Sequence, residues 1–259
     1  MTTLTQPRSV LSLLWQTLRL TGRHFLPLFA IGGIPWAVFS LIPILLGQPQ
    51  TLGDLKRAQV PITWDLLYPF LWAYLYALLL FPLANGALVH ATAQALQGRP
   101  VRVTDAYRAA WPCWGRLMAV YLLYGVLICS ISLIFAAMAY GYQPESWHGP
   151  EELIRSLVAD ARLYYYVALI NFYPQILVLE GASLRQAWTR SRQFAAKAMG
   201  RLGWVLVIFM LLGMLGIEVL LPKVGQWAAV LGSGLTNLLC LVGVTGVYWE
   251  GREGVKEGR

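Results

Sequence analysis

Long apolar stretches alternate with short polar segments along the whole chain. A transmembrane helix needs about 20 consecutive, mostly apolar residues to cross the hydrocarbon core of a bilayer. Six stretches reach this length or come close to it: Phe25–Leu46, Leu66–Ala95, Leu117–Tyr140, Leu163–Leu179, Leu202–Leu221 and Val224–Trp249. Of these, only the fifth contains a charged residue. The pattern therefore predicts an all-α polytopic membrane bundle of six transmembrane helices.

The residue composition points to the same class of protein. Hydrophobic residues make up 58% of the chain and charged residues 12%, and the mean hydropathy is +0.57. A typical soluble domain has about 45–50% apolar and about 25% charged residues. Half the usual charge cannot cover a soluble surface of this size, which argues against a soluble enzyme. The high hydrophobicity also excludes intrinsic disorder.

The basic residues are unevenly divided between the segments that connect the predicted spans. Of the 20 Lys and Arg residues, 15 fall in the N-terminal arm, in residues 99–116, in residues 185–201 and in the C-terminal tail, residues 251–259. The remaining connecting segments hold five. Because cytoplasmic loops are enriched in Lys and Arg, this distribution predicts that both termini are cytoplasmic, which agrees with an even number of spans.

Two of the basic segments have the apolar period of an amphipathic helix. In the N-terminal arm, the predicted apolar face consists of Leu11, Leu14, Trp15 and Leu18, and the polar face includes Gln16, Arg19 and Arg23. In the second segment, the predicted apolar face consists of Ala106, Tyr107, Ala110, Trp111 and Trp114. Thr104 is a candidate cap for this helix, and Pro112 should end or kink it.

A third amphipathic helix is predicted to begin with a capping box formed by Ser183 and Gln186. Its apolar face consists of Leu184, Ala187, Trp188, Ser191, Phe194 and Ala195, and its polar face of Arg185, Thr189, Arg190, Arg192, Gln193 and Lys197. Such helices lie in the membrane interface. We expect all three to engage anionic lipid headgroups, while nucleic acid is not an expected partner.

The order of these segments suggests a repeated unit within a single membrane domain, residues 1–259. Each unit would consist of an amphipathic helix, an outward span and a return span. The three copies would cover residues 7–97, 100–180 and 183–250, followed by the short cytoplasmic tail. Internal repeats of this kind occur in many transporters.

Several short motifs resemble those of a known family. They are Gly86-Ala87-Leu88, Gly98-Arg99-Pro100-Val101 and Val178-Leu179-Glu180-Gly181, followed by Ala187-Trp188 and Ser191. With them the chain, over residues 10–250, resembles a family of bacterial six-span proteins of unknown function that includes the membrane domain of some glycerophosphodiester phosphodiesterases. The resemblance implies a helical bundle in a bacterial inner membrane. Nine residues follow Glu250, so the catalytic domain of those enzymes is not expected here, nor is their hydrolase activity.

Polar side chains within predicted spans are costly to insert and often functional. The candidates are Asn85, His90, Asn171, Glu218 and Asn237. We interpret Asn85 and Asn171 as interhelical hydrogen-bonding residues, and Glu218 as either an interfacial carboxylate near Lys223 or a proton or cation site. Within the same spans, Pro69, Pro82 and Pro174 predict kinks, and Ala228 and Gly232 predict close helix packing.

A second group of candidates lies at the predicted cytoplasmic ends of the helices. Glu180 is expected to form an ion pair that fixes the fourth span to the amphipathic helix after it, or to contribute to a headgroup site. The group consists of Glu180, Arg185, Arg190, Arg192, Arg108 and Arg116.

The sequence contains no nucleotide-binding, zinc-protease or serine-hydrolase motif. We therefore assign no catalytic residue, metal ligand or cofactor. The first functional hypothesis is a non-enzymatic accessory, scaffold or assembly component that interacts with anionic lipid and with other membrane subunits. A transporter or permease subunit, with a polar site between kinked helices, is the alternative. An intramembrane enzyme acting on lipid headgroups is the third hypothesis.

Overall fold

The computed structural model describes residues 9–38, 64–123, 172–215 and 226–257 of the chain. Its α-helices, in chain order, are α1 (Val10–Arg23), α2 (Phe25–Leu28), α3 (Trp64–Leu96), α4 (Val103–Ala110), α5 (Tyr173–Glu180), α6 (Leu184–Leu215) and α7 (Gln226–Glu257). A π-helical turn, Phe29–Gly33, follows α2, and residues 34–38 and 114–123 are helical as well. These ranges contain no strand, so the predicted all-α class is confirmed for them.

One helix in the described part of the chain is long and apolar enough to cross a bilayer, at Leu78–Leu96 within α3. A shorter apolar helix covers Phe25–Val38. These two segments are weak evidence of membrane association, and they overlap the first two predicted spans. The total of six spans stays a prediction.

Two helices extend past the boundaries that hydrophobicity predicted. α6 begins with the amphipathic segment at Leu184 and continues into the predicted fifth span as far as Leu215. α7 continues past the predicted sixth span into the tail, as far as Glu257. Neither helix contains a proline, so nothing interrupts the backbone hydrogen bonds where the polarity of the sequence changes.

The prolines act in different ways in different helices. α4 ends at Ala110, and a 3-10 turn that contains Pro112 follows before the chain becomes α-helical again. Pro174 lies in the first turn of α5, where the missing N–H has no helical acceptor to lose. α3 is continuous through Pro69 and Pro82.

The expected cap of α4 is wrong. The residue before this helix is Arg102, which has an extended backbone and makes no side-chain capping bond. Thr104 lies inside the first turn instead. The helix gains its stability from packing, because Ala106 and Ala110 are fully buried and the Tyr107 hydroxyl donates a hydrogen bond to the Ile31 carbonyl at 3.2 Å.

The apolar side of α1 is divided into two faces. Leu13 and Leu14 are buried, together with Thr17 and Thr21 one and two turns further on. Leu11, Trp15 and Leu18 are exposed. The prediction that Leu14 shares a face with these three is therefore wrong, because Leu14 packs with Leu13 into the core while the others point outward.

α7 is the central helix of the described bundle. One apolar cluster joins its residues Leu238 and Val242 to α3, α4 and the π-helical turn. A second cluster joins Val244, Val247 and Tyr248 to α1, α5 and α6. A helix that is apolar on all sides is expected at the centre of a bundle, and α7 accordingly contacts α1, the π-helical turn, α3 and α6.

Two glycines lie at a close approach of α7 and the π-helical turn. A Cβ atom added to Gly234 of α7 would lie 2.9 Å from the carbonyl oxygen of Gly33 in the π-helical turn. Gly232, which the sequence predicted as a contact residue, has open space around the corresponding position. Gly234 therefore permits the close crossing of these two elements.

We predict that Gly234→Ala destabilises the protein, whereas Gly232→Ala does not. The new methyl group at position 234 meets backbone that cannot move aside, and overpacking of this kind costs about 1–3 kcal/mol. At position 232 the substitution should gain roughly 0.5–1 kcal/mol, because alanine is the better helix former. Unfolding of both variants in detergent, followed by tryptophan fluorescence, measures the difference. Equal stabilities would show that the two elements do not cross at Gly234.

Candidate functional site

The carboxylate of Glu180 lies where three helices meet. Glu180 is the last residue of α5. It forms an ion pair with Arg190 of α6, and its other oxygen accepts a hydrogen bond from the Tyr248 hydroxyl of α7. The Glu180 side chain is 18% exposed, against 53% for Arg190. A carboxylate at a helix C-terminus faces the negative end of the helix dipole, so these two donors stabilise a charge that is otherwise unfavourably placed.

The turn after Glu180 depends on a glycine and on an arginine from elsewhere in the chain. Gly181 ends α5 with φ +64°, a left-handed conformation that glycine adopts without strain. Arg116, in the helical residues 114–123, donates hydrogen bonds to the carbonyl oxygens of Gly181 at 3.2 Å and Ala182 at 2.6 Å. Arg116, a candidate for lipid binding, thus forms hydrogen bonds with the backbone of this turn.

The capping box predicted at the start of α6 is confirmed. The Ser183 backbone N–H donates to Oε1 of Gln186 at 3.1 Å. In return, the Gln186 backbone N–H donates to Oγ of Ser183 at 3.4 Å. The cap starts α6 directly after the turn, which brings Arg190 back beside Glu180 after two helical turns.

A groove opens beside this junction, between α6 and α7, and we call it the basic groove. Its volume is about 630 Å³. Its charged side chains are Glu180, Arg190, Lys197, Arg201 and Arg252. Four cations line the groove against one carboxylate, and a second carboxylate, that of Glu250, faces Arg201 at 4.0 Å. The excess of cations gives the groove a positive potential, which favours an anionic ligand.

The floor of the groove is aromatic and apolar. Phe194, which is partly exposed, and the buried Tyr248 both line it, and their ring centroids lie 4.9 Å apart. The ring of Phe172 packs against them, its centroid 5.5 Å from that of Phe194. Phe194 lies so close to α7 that a Cβ at Gly251 would be 2.5 Å from its ring. The basic side chains of the groove therefore surround a closely packed apolar surface.

The sequence candidates are distributed over several places in the bundle. Glu180 and Arg190 come together at the groove. Arg185, Arg192 and Arg108 are exposed and do not line it. Of the polar residues in predicted spans, Asn85 is buried and donates an interhelical hydrogen bond to the Tyr121 hydroxyl.

The other intramembrane candidates do not form part of this site. His90 of α3 and Asn237 of α7 are half-buried. Asn171 and Glu218 lie outside the described residues, so the proton or cation site considered at Glu218 stays a prediction. Within the described ranges, no group of three or more His, Cys, Asp or Glu side chains could hold a metal ion.

Sequence reasoning missed two polar residues of this region. Gln175 of α5 is fully buried and donates to the Thr245 hydroxyl of α7 at 3.3 Å. Tyr248 is also fully buried, although it stands at the end of a predicted span, where tyrosine commonly faces the membrane interface. Gln175 satisfied the criterion that selected Asn85, a polar amide within an apolar run, and could have been found in this way.

No protein-family model, curated protein sequence or solved structure matches this chain. The resemblance to the six-span family stays a prediction that rests on its short motifs.

We predict that the Tyr248 hydroxyl and the Glu180 carboxylate are energetically coupled. A hydrogen bond to a charged group contributes about 1.5–3 kcal/mol, so Tyr248→Phe should lower the free energy of unfolding by that amount. A double-mutant cycle with Glu180→Ala, measured by unfolding in detergent, should give a coupling of about 1–2 kcal/mol.

The control for this cycle pairs Tyr248→Phe with Arg185→Gln, which removes an exposed cation of α6. The two effects should add within about 0.5 kcal/mol, because the side chains share no partner. If Tyr248→Phe and Glu180→Ala are equally additive, the hydroxyl does not stabilise the carboxylate.

Proposed function

We propose that this chain is a non-enzymatic polytopic protein of a bacterial inner membrane. It acts as an accessory, scaffold or assembly component that binds anionic lipid and contacts other membrane proteins. In this proposal it has six spans and cytoplasmic termini, and it is related to the six-span family that its motifs resemble.

The observation that carries the proposal is the outward apolar face of α1. Leu11 is 77% exposed, Trp15 69% and Leu18 45%. These residues follow one another at i, i+4 and i+7, so they form one stripe along the helix. An exposed apolar stripe of this kind is typical of a surface that contacts membrane or protein, and tryptophan prefers the membrane interface.

Exposed cations accompany exposed tryptophans on the other amphipathic helices. Trp111 follows α4, which carries Arg108, and Trp188 lies between Arg185 and Arg192 on α6; all five side chains are exposed. An anionic membrane surface attracts each nearby Lys or Arg by about 1 kcal/mol. The pairing of apolar anchors with cations supports anionic lipid as the partner of this surface.

We predict that the purified protein co-purifies with anionic phospholipid in excess of its share of the bulk membrane. Native mass spectrometry of the protein released from membranes that contain phosphatidylglycerol and cardiolipin measures this enrichment. A variant with Arg19→Gln, Arg23→Gln and Arg108→Gln should show less of it, because it lacks three exposed cations of the surface.

The control variant, Lys56→Gln with Arg57→Gln, removes cations that the charge distribution assigns to the opposite side of the membrane. It should retain the enrichment of the wild type. The proposed role of this surface would be refuted if the wild type bound lipids in the proportions of the bulk membrane. It would also be refuted if both variants lost the enrichment of anionic phospholipid equally.

The orientation can be tested separately with reporter fusions. Green fluorescent protein should fluoresce, and alkaline phosphatase should be inactive, when either reporter is fused after Gly98 or after Arg259. Fusions after Asp54 and after Gly149 should show the reverse, because these positions follow an odd number of predicted spans. The same reporter result at all four positions would contradict the six-span topology.

A further inference from the structure

The cations of the basic groove form a single stripe on α6. Arg190, Lys197 and Arg201 follow one another at i, i+7 and i+11, which places them on one side of a helix. The stripe continues past the amphipathic segment to the beginning of the predicted fifth span. The opposite wall is supplied by α7, where Arg252 follows Gly251.

Two of the four cations already have partners. Arg190 is paired with Glu180, and Arg201 faces Glu250 at 4.0 Å. Lys197 and Arg252 form no ion pair with a carboxylate of the residues that the structure describes, although Arg252 lies 5.8 Å from the centroid of the Trp249 ring. The groove therefore has two cations, one on each wall, that are available to an anion.

The rest of the lining determines which anions fit. Leu179 and Phe194 line the groove and are partly exposed. Ile176 and Val247 also line it but are buried, so Leu179 and Phe194 supply the apolar surface that the cations border. A fully hydrated anion gains little binding free energy from contact with an apolar surface. A ligand that carries a phosphate and an apolar part can place each against a matching surface.

We propose that the basic groove is a binding site for a phosphate group, held between Lys197 of α6 and Arg252 of α7, and that this phosphate belongs to a phospholipid headgroup. Arg190 and Arg201 contribute positive potential from the side, and the apolar lining receives the beginning of the acyl chains. This assignment rests on the proposed function and deepens it, because it gives the anionic-lipid partner one defined site in addition to the outer surface of the amphipathic helices.

The position of the groove favours a lipid over a soluble phosphate ester. Its α6 wall lies at the change from the basic amphipathic segment to the apolar span. Its α7 wall runs from Val247, near the end of the predicted sixth span, to Arg252, three residues past that end. Lipid phosphates occupy this level of a bilayer. Arginine and lysine are the usual protein ligands of phosphate, because they combine positive charge with several N–H donors.

The experiment uses the whole protein in nanodiscs of phosphatidylcholine to which phosphatidylglycerol is added. Native mass spectrometry counts the phosphatidylglycerol molecules that remain bound after collisional activation, and a titration gives the affinity of the most strongly retained one. The groove variant is Lys197→Gln with Arg252→Gln. Its affinity for that lipid should fall by about 30-fold, from the loss of two cations near the phosphate.

The matched control is Arg99→Gln with Arg102→Gln, which removes the same charge from exposed positions outside the groove. It should keep the strongly retained lipid at wild-type affinity, even if the total number of anionic lipids decreases. Lys197→Gln alone, at an exposed side chain, should weaken the affinity by about 5-fold, and this variant decides the question if the double variant does not fold.

A second arm distinguishes the source of the phosphate. Inorganic phosphate is titrated by calorimetry into nanodiscs that contain phosphatidylcholine alone. Binding of inorganic phosphate that the groove variant abolishes, without any strongly retained phosphatidylglycerol, supports a phosphate site but assigns it to a soluble ligand. Equal behaviour of the wild type and the groove variant in both arms overturns the proposal, as does the absence of both ligands from the wild type.

Failure of this proposal can be told apart from failure of the proposed function. If the groove variant retains every lipid while the Arg19, Arg23 and Arg108 variant loses its enrichment, the amphipathic surface binds lipid and the groove does not. If the groove variant alone loses a lipid, the groove is the site and the outer surface is not.

Discussion

The meeting of three helices at the Glu180 carboxylate is the constraint on which this end of the bundle depends. The charge lies at the unfavourable end of α5 and is largely shielded from solvent, so it requires donors, which Arg190 and Tyr248 provide. Removing one donor leaves a partly buried charge without adequate compensation, which is the costly way to break such a pair. The carboxylate therefore ties α6 and α7 to the end of α5.

The basic groove is a consequence of this junction. Left-handed Gly181 and the hydrogen bonds from Arg116 set the direction in which α6 leaves the turn, and the contact of Phe194 with Gly251 sets its distance from α7. Charges with structural partners thus hold the walls in place. Lys197 and Arg252 lie on those walls. The residues that hold the helices in place, such as Glu180 and Arg116, are therefore different from the two that would contact a ligand.

Sequence patterns predicted the helical class, the capping box and an ion pair between Glu180 and the amphipathic helix after it, because each depends on neighbours within about ten residues. They did not predict that Arg116 would donate hydrogen bonds to the carbonyl oxygens of Gly181 and Ala182, which are 65 and 66 residues away in the sequence. The groove was missed for the same reason: Arg252 joins Lys197 only through the packing of α7 on α6. Sequence patterns also did not predict which apolar residues of α1 are buried: the adjacent Leu14 and Trp15 are buried and exposed, respectively.

The most direct test of this account is a cryo-electron microscopy map of the protein in nanodiscs that contain phosphatidylglycerol, at a resolution that shows individual lipids. The account predicts phosphate density between Lys197 and Arg252, with acyl-chain density leading away along the apolar lining, and Glu180 in contact with Arg190 and Tyr248. Ordered lipids elsewhere around the protein, together with a groove that is empty or filled by the protein's own tail, would contradict it.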